Sequence, residues 1–211
     1  MWFGVYTALG RLILPFVFRD LNWPAVDFIT GLTYALYLIQ TFALGAYLVI
    51  KDPSRLPFVT WGWLLLNLAG WVTWLVWPAA PPWYVDAYGL GPAMEDALPQ
   101  AAGAARFDAV IGHPFFYNFY SRSSNVFGAM PSLHCAYPTL VAWVCWSMGR
   151  GFRWASIGFA LLMCFSAVYL QHHYMFDVIA GIAFATAIFH LVASVRTMQS
   201  GAVPHAEPKP P

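Results

Sequence analysis

Two histidines and an aspartate, His134, His173 and Asp177, are the side chains of this sequence best suited to chemistry near neutral pH. Imidazole changes charge in that range. His134 closes the run Pro131-Ser-Leu-His134. Proline followed by serine reads as a helix start, with a hydroxyl able to cap orphan N–H groups. The free amides of such a start bind phosphate, and a histidine in the first turn can hand a proton to whatever is bound there. His173 and Asp177 stand four apart in Gln171-His-His-Tyr-Met-Phe-Asp177, so on a helix they share a face. A carboxylate accepting from one ring nitrogen leaves the other as a base or nucleophile. The blander readings are an interfacial histidine that bonds a carbonyl and a surface His–Asp pair. His172 points about 100° away from its neighbour on a helix and reads as a packing or hydrogen-bonding residue. Arg122, nine residues before Pro131, is the first candidate to hold phosphoryl oxygens bidentately, and Arg106 is the second. Either could equally be a solvated loop arginine. Ser132 and its neighbouring amides complete the expected phosphate-binding set.

The elements that would position these groups are apolar helices. Of 211 residues, 60% are hydrophobic and 9% charged. That excess of apolar surface needs lipid as its solvent. The eleven Trp and eleven Tyr suit membrane interfaces. Five apolar runs, residues 27–50, 57–77, 133–149, 153–171 and 176–195, each approach the length of a bilayer-crossing helix. A sixth, Trp2–Phe18, contains Arg11 and either crosses or lies in the interface. The expected fold is an all-α polytopic bundle of six spans, or five if the sixth run is interfacial. One membrane domain covers residues 1–200, before a Pro-rich, polar and disordered tail over 201–211. No cleavable signal peptide is expected from the first residues.

The connection from Pro78 to Pro131 is long, and long loops in small proteins carry function. Short interfacial or re-entrant helices are expected in it. The net charge of +1 gives no field for nucleic acid. Cys135, Cys145 and Cys164 fall in apolar runs, an odd number that favours neither a disulfide framework nor a zinc site. No metal or other cofactor is expected. Haem held between two histidines would need them facing each other inside the bundle, whereas both flank helix ends.

Alternating span direction puts His134, His173, Asp177 and the long loop at one membrane face. Lys51, Arg55, Arg150, Arg153, Arg196 and Lys209 fall at the other. The positive-inside rule then puts the basic face in the cytoplasm and the histidine face outside, at a plasma membrane or its lumenal equivalent.

Pro131-Ser-Leu-His134, followed by His173-x-x-x-Asp177 after one helical hairpin, resembles the type 2 phosphatidic acid phosphatase superfamily. Its second motif reads PSGH and its third SRxxxxxHxxxD. Here Leu133 replaces the glycine, Ser166 matches, and Ala167 stands where arginine is expected; the first motif, KxxxxxxRP, is missing before the long loop. Together with Pro78-Ala-Ala-Pro-Pro-Trp-Tyr84 and Gly128-Ala-Met-Pro-Ser-Leu-His134, the pattern is similar to the inositol phosphorylceramide synthase branch. That resemblance implies transfer of a phosphorylated headgroup, phosphoinositol, from a phospholipid donor to an alcohol or lipid acceptor. His173 would attack phosphorus and form a phosphohistidine, Asp177 would hold its ring, and His134 would serve as acid and then base. The alternative is a lipid phosphate phosphatase with water as acceptor. Lipid would enter sideways from the membrane.

Overall fold

The computed structural model describes residues 15–19, 21, 23–94, 96–122 and 126–201. After a short helix α1 (Pro15–Arg19), the chain forms α2 (Pro24–Lys51), a 3-10 turn (Pro53–Arg55) and α3 (Leu56–Val76). The loop carries α4 (Pro82–Tyr88), α5 (Ala105–Ile111) and α6 (Phe115–Tyr120), and α7 (Leu133–Cys145), α8 (Arg150–Tyr169) and α9 (Met175–Gly201) follow. Among the described residues there is no strand, only an isolated parallel bridge between Ala79 and Gly128. The short helices expected in the long loop are there.

Among the described residues, four helices are long and apolar enough to cross a membrane: Pro24–Lys51, Pro53–Val76, Arg150–Tyr169 and Met175–Met198. Their apolar side chains mostly face outward. Leu75, Val72, Trp71, Leu68 and Trp61 make an exposed stripe along α3, as expected when lipid is the solvent. The chain is an integral membrane protein. Two span expectations stand differently. The run 133–149 yields only the 13 residues of α7, about 20 Å of helix against about 30 Å of hydrocarbon. Most of Trp2–Phe18, and residues 202–211 of the tail, lie outside the described residues.

α7 is the inner helix. Cys135, Ala136 and Leu140 are fully buried, packed by α2, α3, α8 and α9. Its ends fix the bundle's polarity. At one end Arg55 donates from Nη1 to Ser147 Oγ, joining the α2–α3 turn to the α7–α8 turn. At the other, Ser132 N donates to the Asp177 carbonyl at 3.0 Å. This approach is close because residue 181 is glycine: a Cβ there would stand 2.3 Å from the Ser132 oxygen. Leu133, at the start of α7, packs on Gly70. Gly70 lies six residues before the end of α3, which sets the start of α7 about 9 Å inside that helix end.

Candidate active site

The mouth of the bundle is built where α7 begins and α9 begins. Ser132 caps α7, its hydroxyl accepting from Cys135 N at 3.4 Å, so His134 falls in the first turn as its spacing predicts. His173 does not share a helix with Asp177. It sits in the turn before Met175, and Asp177 lies in the first turn of α9. The two still approach, with His173 Nδ1 at 3.7 Å from Asp177 Oδ2, which is beyond hydrogen-bond length. The ring is held instead by the backbone: His173 Nδ1 donates to the Ala129 carbonyl at 2.8 Å. Asp177 works through the main chain. Its Oδ2 accepts from Tyr174 N at 2.7 Å, and its own carbonyl accepts from Ser132 N. One residue thereby ties the α9 turn to the α7 cap.

This arrangement fixes a tautomer. A carbonyl can only accept, so His173 Nδ1 carries the proton and, in the neutral ring, Nε2 presents a lone pair. Burial pushes the His173 ring down to about 4, outweighing the smaller lift from the Ala129 carbonyl, so the ring is neutral at pH 7. Its Nε2 faces His134 Nδ1 at 3.0 Å. His134 must then be the donor. Two imidazoles from distant stretches of chain thus meet, one as lone-pair base and one as proton donor.

Both line a cavity of about 310 Å³ at the histidine end of the bundle. Tyr34 stacks on His134 at 4.4 Å and on His172 at 5.0 Å, and Tyr120 also stacks on His172 at 4.7 Å. Asn67 Oδ1 accepts from the Tyr137 hydroxyl at 2.8 Å across the same cavity. No lysine or arginine occurs among its described lining residues.

None of the three residues expected to bind phosphate is among the cavity's described lining residues. Arg106 donates from Nε to buried Asp27 Oδ1 at 2.7 Å and from Nη2 to the Tyr169 carbonyl, while the Tyr169 hydroxyl donates to the same Asp27 oxygen at 2.9 Å. Arg122 is exposed, in a separate hollow with His113 and Asn118. Ser132 is fully buried, its amide and hydroxyl engaged in the two bonds above. Several site residues escaped the sequence reading. Asn67 carried a signal, being an amide in mid-span. Ala129 carried none, because its contribution is a carbonyl. Among the described residues there is no cluster suited to a metal ion.

Residues 16–191 match the sequence model of the PAP2 superfamily. The chain belongs to that superfamily. It is 35% identical over 190 residues, 87% of this chain and 61% of the relative, to the phosphoinositol dihydroceramide synthase of Bacteroides thetaiotaomicron. It is 32% identical over 151 residues, 72% of this chain and 36% of the relative, to the inositol phosphorylceramide synthase catalytic subunit of Schizosaccharomyces pombe. It is 31% identical over 176 residues, 82% and 37%, to the inositol phosphorylceramide synthase of Candida albicans. The chain thus spans about three fifths of the bacterial relative and little more than a third of the fungal ones. No solved structure matches it.

Proposed function

We propose that this superfamily member is a lipid phosphotransferase, moving a phosphorylated headgroup from a phospholipid to a lipid alcohol by way of a phosphohistidine. The observation that carries this is the 3.0 Å approach of His134 Nδ1 to His173 Nε2 at the cavity, with the other nitrogen of His173 held by the Ala129 carbonyl. The names of its relatives supply the headgroup, phosphoinositol, and the acceptor class, a ceramide-like alcohol.

In the first half-reaction the phosphodiester parts the two rings. His173 Nε2 bonds to phosphorus as the bond to the diacylglycerol oxygen breaks, and His134 in its protonated form gives a proton to that oxygen. The positive charge left on the phosphorylated ring is stabilised by the Nδ1–H bond to Ala129 and by the Asp177 carboxylate nearby. In the second half-reaction the acceptor oxygen attacks phosphorus, its proton passes to His134, and the bond to His173 breaks. Atoms and charge return to the start. Cavity donors such as the tyrosine hydroxyls and the α7 amides hold the phosphoryl oxygens.

Lys51, Arg55, Arg150, Arg153 and Arg196 cluster towards the opposite end of the bundle, which supports a site on the non-cytoplasmic face. α7, extended by the bends at either end, is the fifth crossing. Transfer rather than hydrolysis is tested by reconstituting the protein with inositol-labelled phosphatidylinositol, with and without ceramide. Labelled sphingolipid that requires the acceptor is the expected result. Free inositol phosphate released at the same rate without acceptor would overturn it in favour of water as acceptor.

A further inference from the structure

His172 is not needed in the steps above, yet it is built into the same cavity. Its residue is only 5% exposed. The ring stacks on both Tyr34 and Tyr120, within 20° of parallel to each. One ring nitrogen is bonded to the backbone of Ala101. The other, Nε2, is buried without a hydrogen-bond partner, in a side chain that lines the cavity. Such an orphan is costly unless something else meets it.

The chemistry of that partner follows from the tautomer. The Ala101 carbonyl accepts, so the nitrogen facing it carries the proton and Nε2 of the neutral ring is an acceptor. Burial, reinforced by the neighbouring His173, pushes the His172 ring down to about 3, so it stays neutral. A phosphoryl oxygen is itself an acceptor and cannot satisfy it. A hydroxyl can. The hydroxyls of Tyr34 and Tyr120 lie close to each other, and neither they nor any other described protein group bonds His172 Nε2. The headgroup attached to phosphorus stays in the site through both half-reactions, whereas the acceptor alcohol comes only for the second.

Resting on the transferase reading, we infer that His172 Nε2 accepts a hydrogen bond from a hydroxyl of the transferred headgroup and so selects polyol phosphodiesters. It is a specificity residue of the donor site rather than a participant in proton transfer.

The test compares phosphatidylinositol, a series of its monodeoxy analogues and phosphatidylethanol as donors, in wild-type protein and in His172→Phe, which keeps the stacked ring and removes the acceptor. The readout is the ratio of kcat/KM between donors. In wild type, one deoxy analogue is expected to lose on the order of tenfold, the contribution of one neutral hydrogen bond. In His172→Phe that loss should vanish, and the preference for phosphatidylinositol over phosphatidylethanol should shrink by the same factor. Equal losses on every donor, with ratios unchanged, would overturn the proposal and leave His172 as packing. A change in KM for the acceptor with donor ratios unchanged would move the bond to the acceptor's hydroxyl and overturn the headgroup assignment. Should His172→Phe fail to fold, the wild-type series still decides: no analogue losing near tenfold defeats the proposal. Wild type transferring from none of these phosphodiesters would instead sink the transferase reading.

Discussion

Two buried polar constellations stand at the same end of this bundle, and they differ in charge and in what they adjoin. In the first, Asp27, Arg106 and Tyr169 join α2, α5 and α8 with opposite charges and hydrogen bonds of 2.7 and 2.9 Å. In the second, the neutral rings of His173 and His172 and the donor His134 stand at a cavity, with an orphan nitrogen on His172 and a ring nitrogen of His173 that meets another imidazole. The clamp is charge-compensated, although Asp27 Oδ2 is left without a hydrogen-bond partner, and it holds a loop helix to the membrane helices. The histidine cluster carries no such ion pair and opens on a cavity, as the proposed reaction needs. Polarity at membrane depth marks importance in both cases. An internal ion pair on one side and an adjoining cavity on the other separate fastening from the proposed chemistry.

The widest separation is expected from His173→Ala. Transfer should fall at least about a thousandfold as the nucleophile is lost, while thermal unfolding in detergent moves far less; comparable losses in both would erase the distinction. His134→Ala should cost about a hundredfold or more in kcat, the usual contribution of a general acid–base group. Asp27→Ala inverts the pattern. It leaves the Arg106 guanidinium without its partner and should cost about 3 kcal/mol of stability by urea unfolding, with kcat per folded molecule little changed. A drop in kcat of the folded fraction beyond tenfold would tie the clamp to catalysis.

The pH dependence sharpens the same contrast. The folded-state value of about 4 for His173 lies below the ordinary 6.5. The unfolded chain therefore takes up a proton at higher pH than the folded one. Stability is fullest above pH 6.5 and declines as pH falls towards 4, and the nucleophile remains unprotonated over that window. The acid limb of kcat/KM set by this ring should have its midpoint well below 6.5; a midpoint at 6.5 would mean the ring is not shielded from water. The smallest effect is expected from Arg122→Ala. Its exposed hollow is separate from the histidine cavity, and transfer should stay within about twofold.

Much of this was legible in residue types. Apolar runs located the long helices, and chain direction correctly gathered His134, His173 and Asp177 at one end. Ser132 capping α7 also followed from its position after proline. What was illegible depended on backbone groups and on competition. No side chain announces that the Ala129 carbonyl orients His173, or that the chain turns between His173 and Met175 instead of continuing as helix. Arg106 looked available for phosphate because Asp27 is 79 residues away in the chain, and only folding shows that the partnership is already made. The shortness of α7 was hidden too, since residues 146–149 are as apolar as a helix end while forming a turn.

The missing side chain at residue 181 acts as a spacer of zero thickness between the two halves of the proposed catalytic apparatus. His134 rides on α7 and His173 on the turn into α9, and their separation is gauged by how near the Ser132 carbonyl can settle onto α9. A single methyl at that point would stand inside the oxygen's radius and wedge the helices apart. The proposed nucleophile and its proton donor would then drift out of register although neither had been altered, so the calibration of the histidine pair resides in a residue that belongs to neither ring.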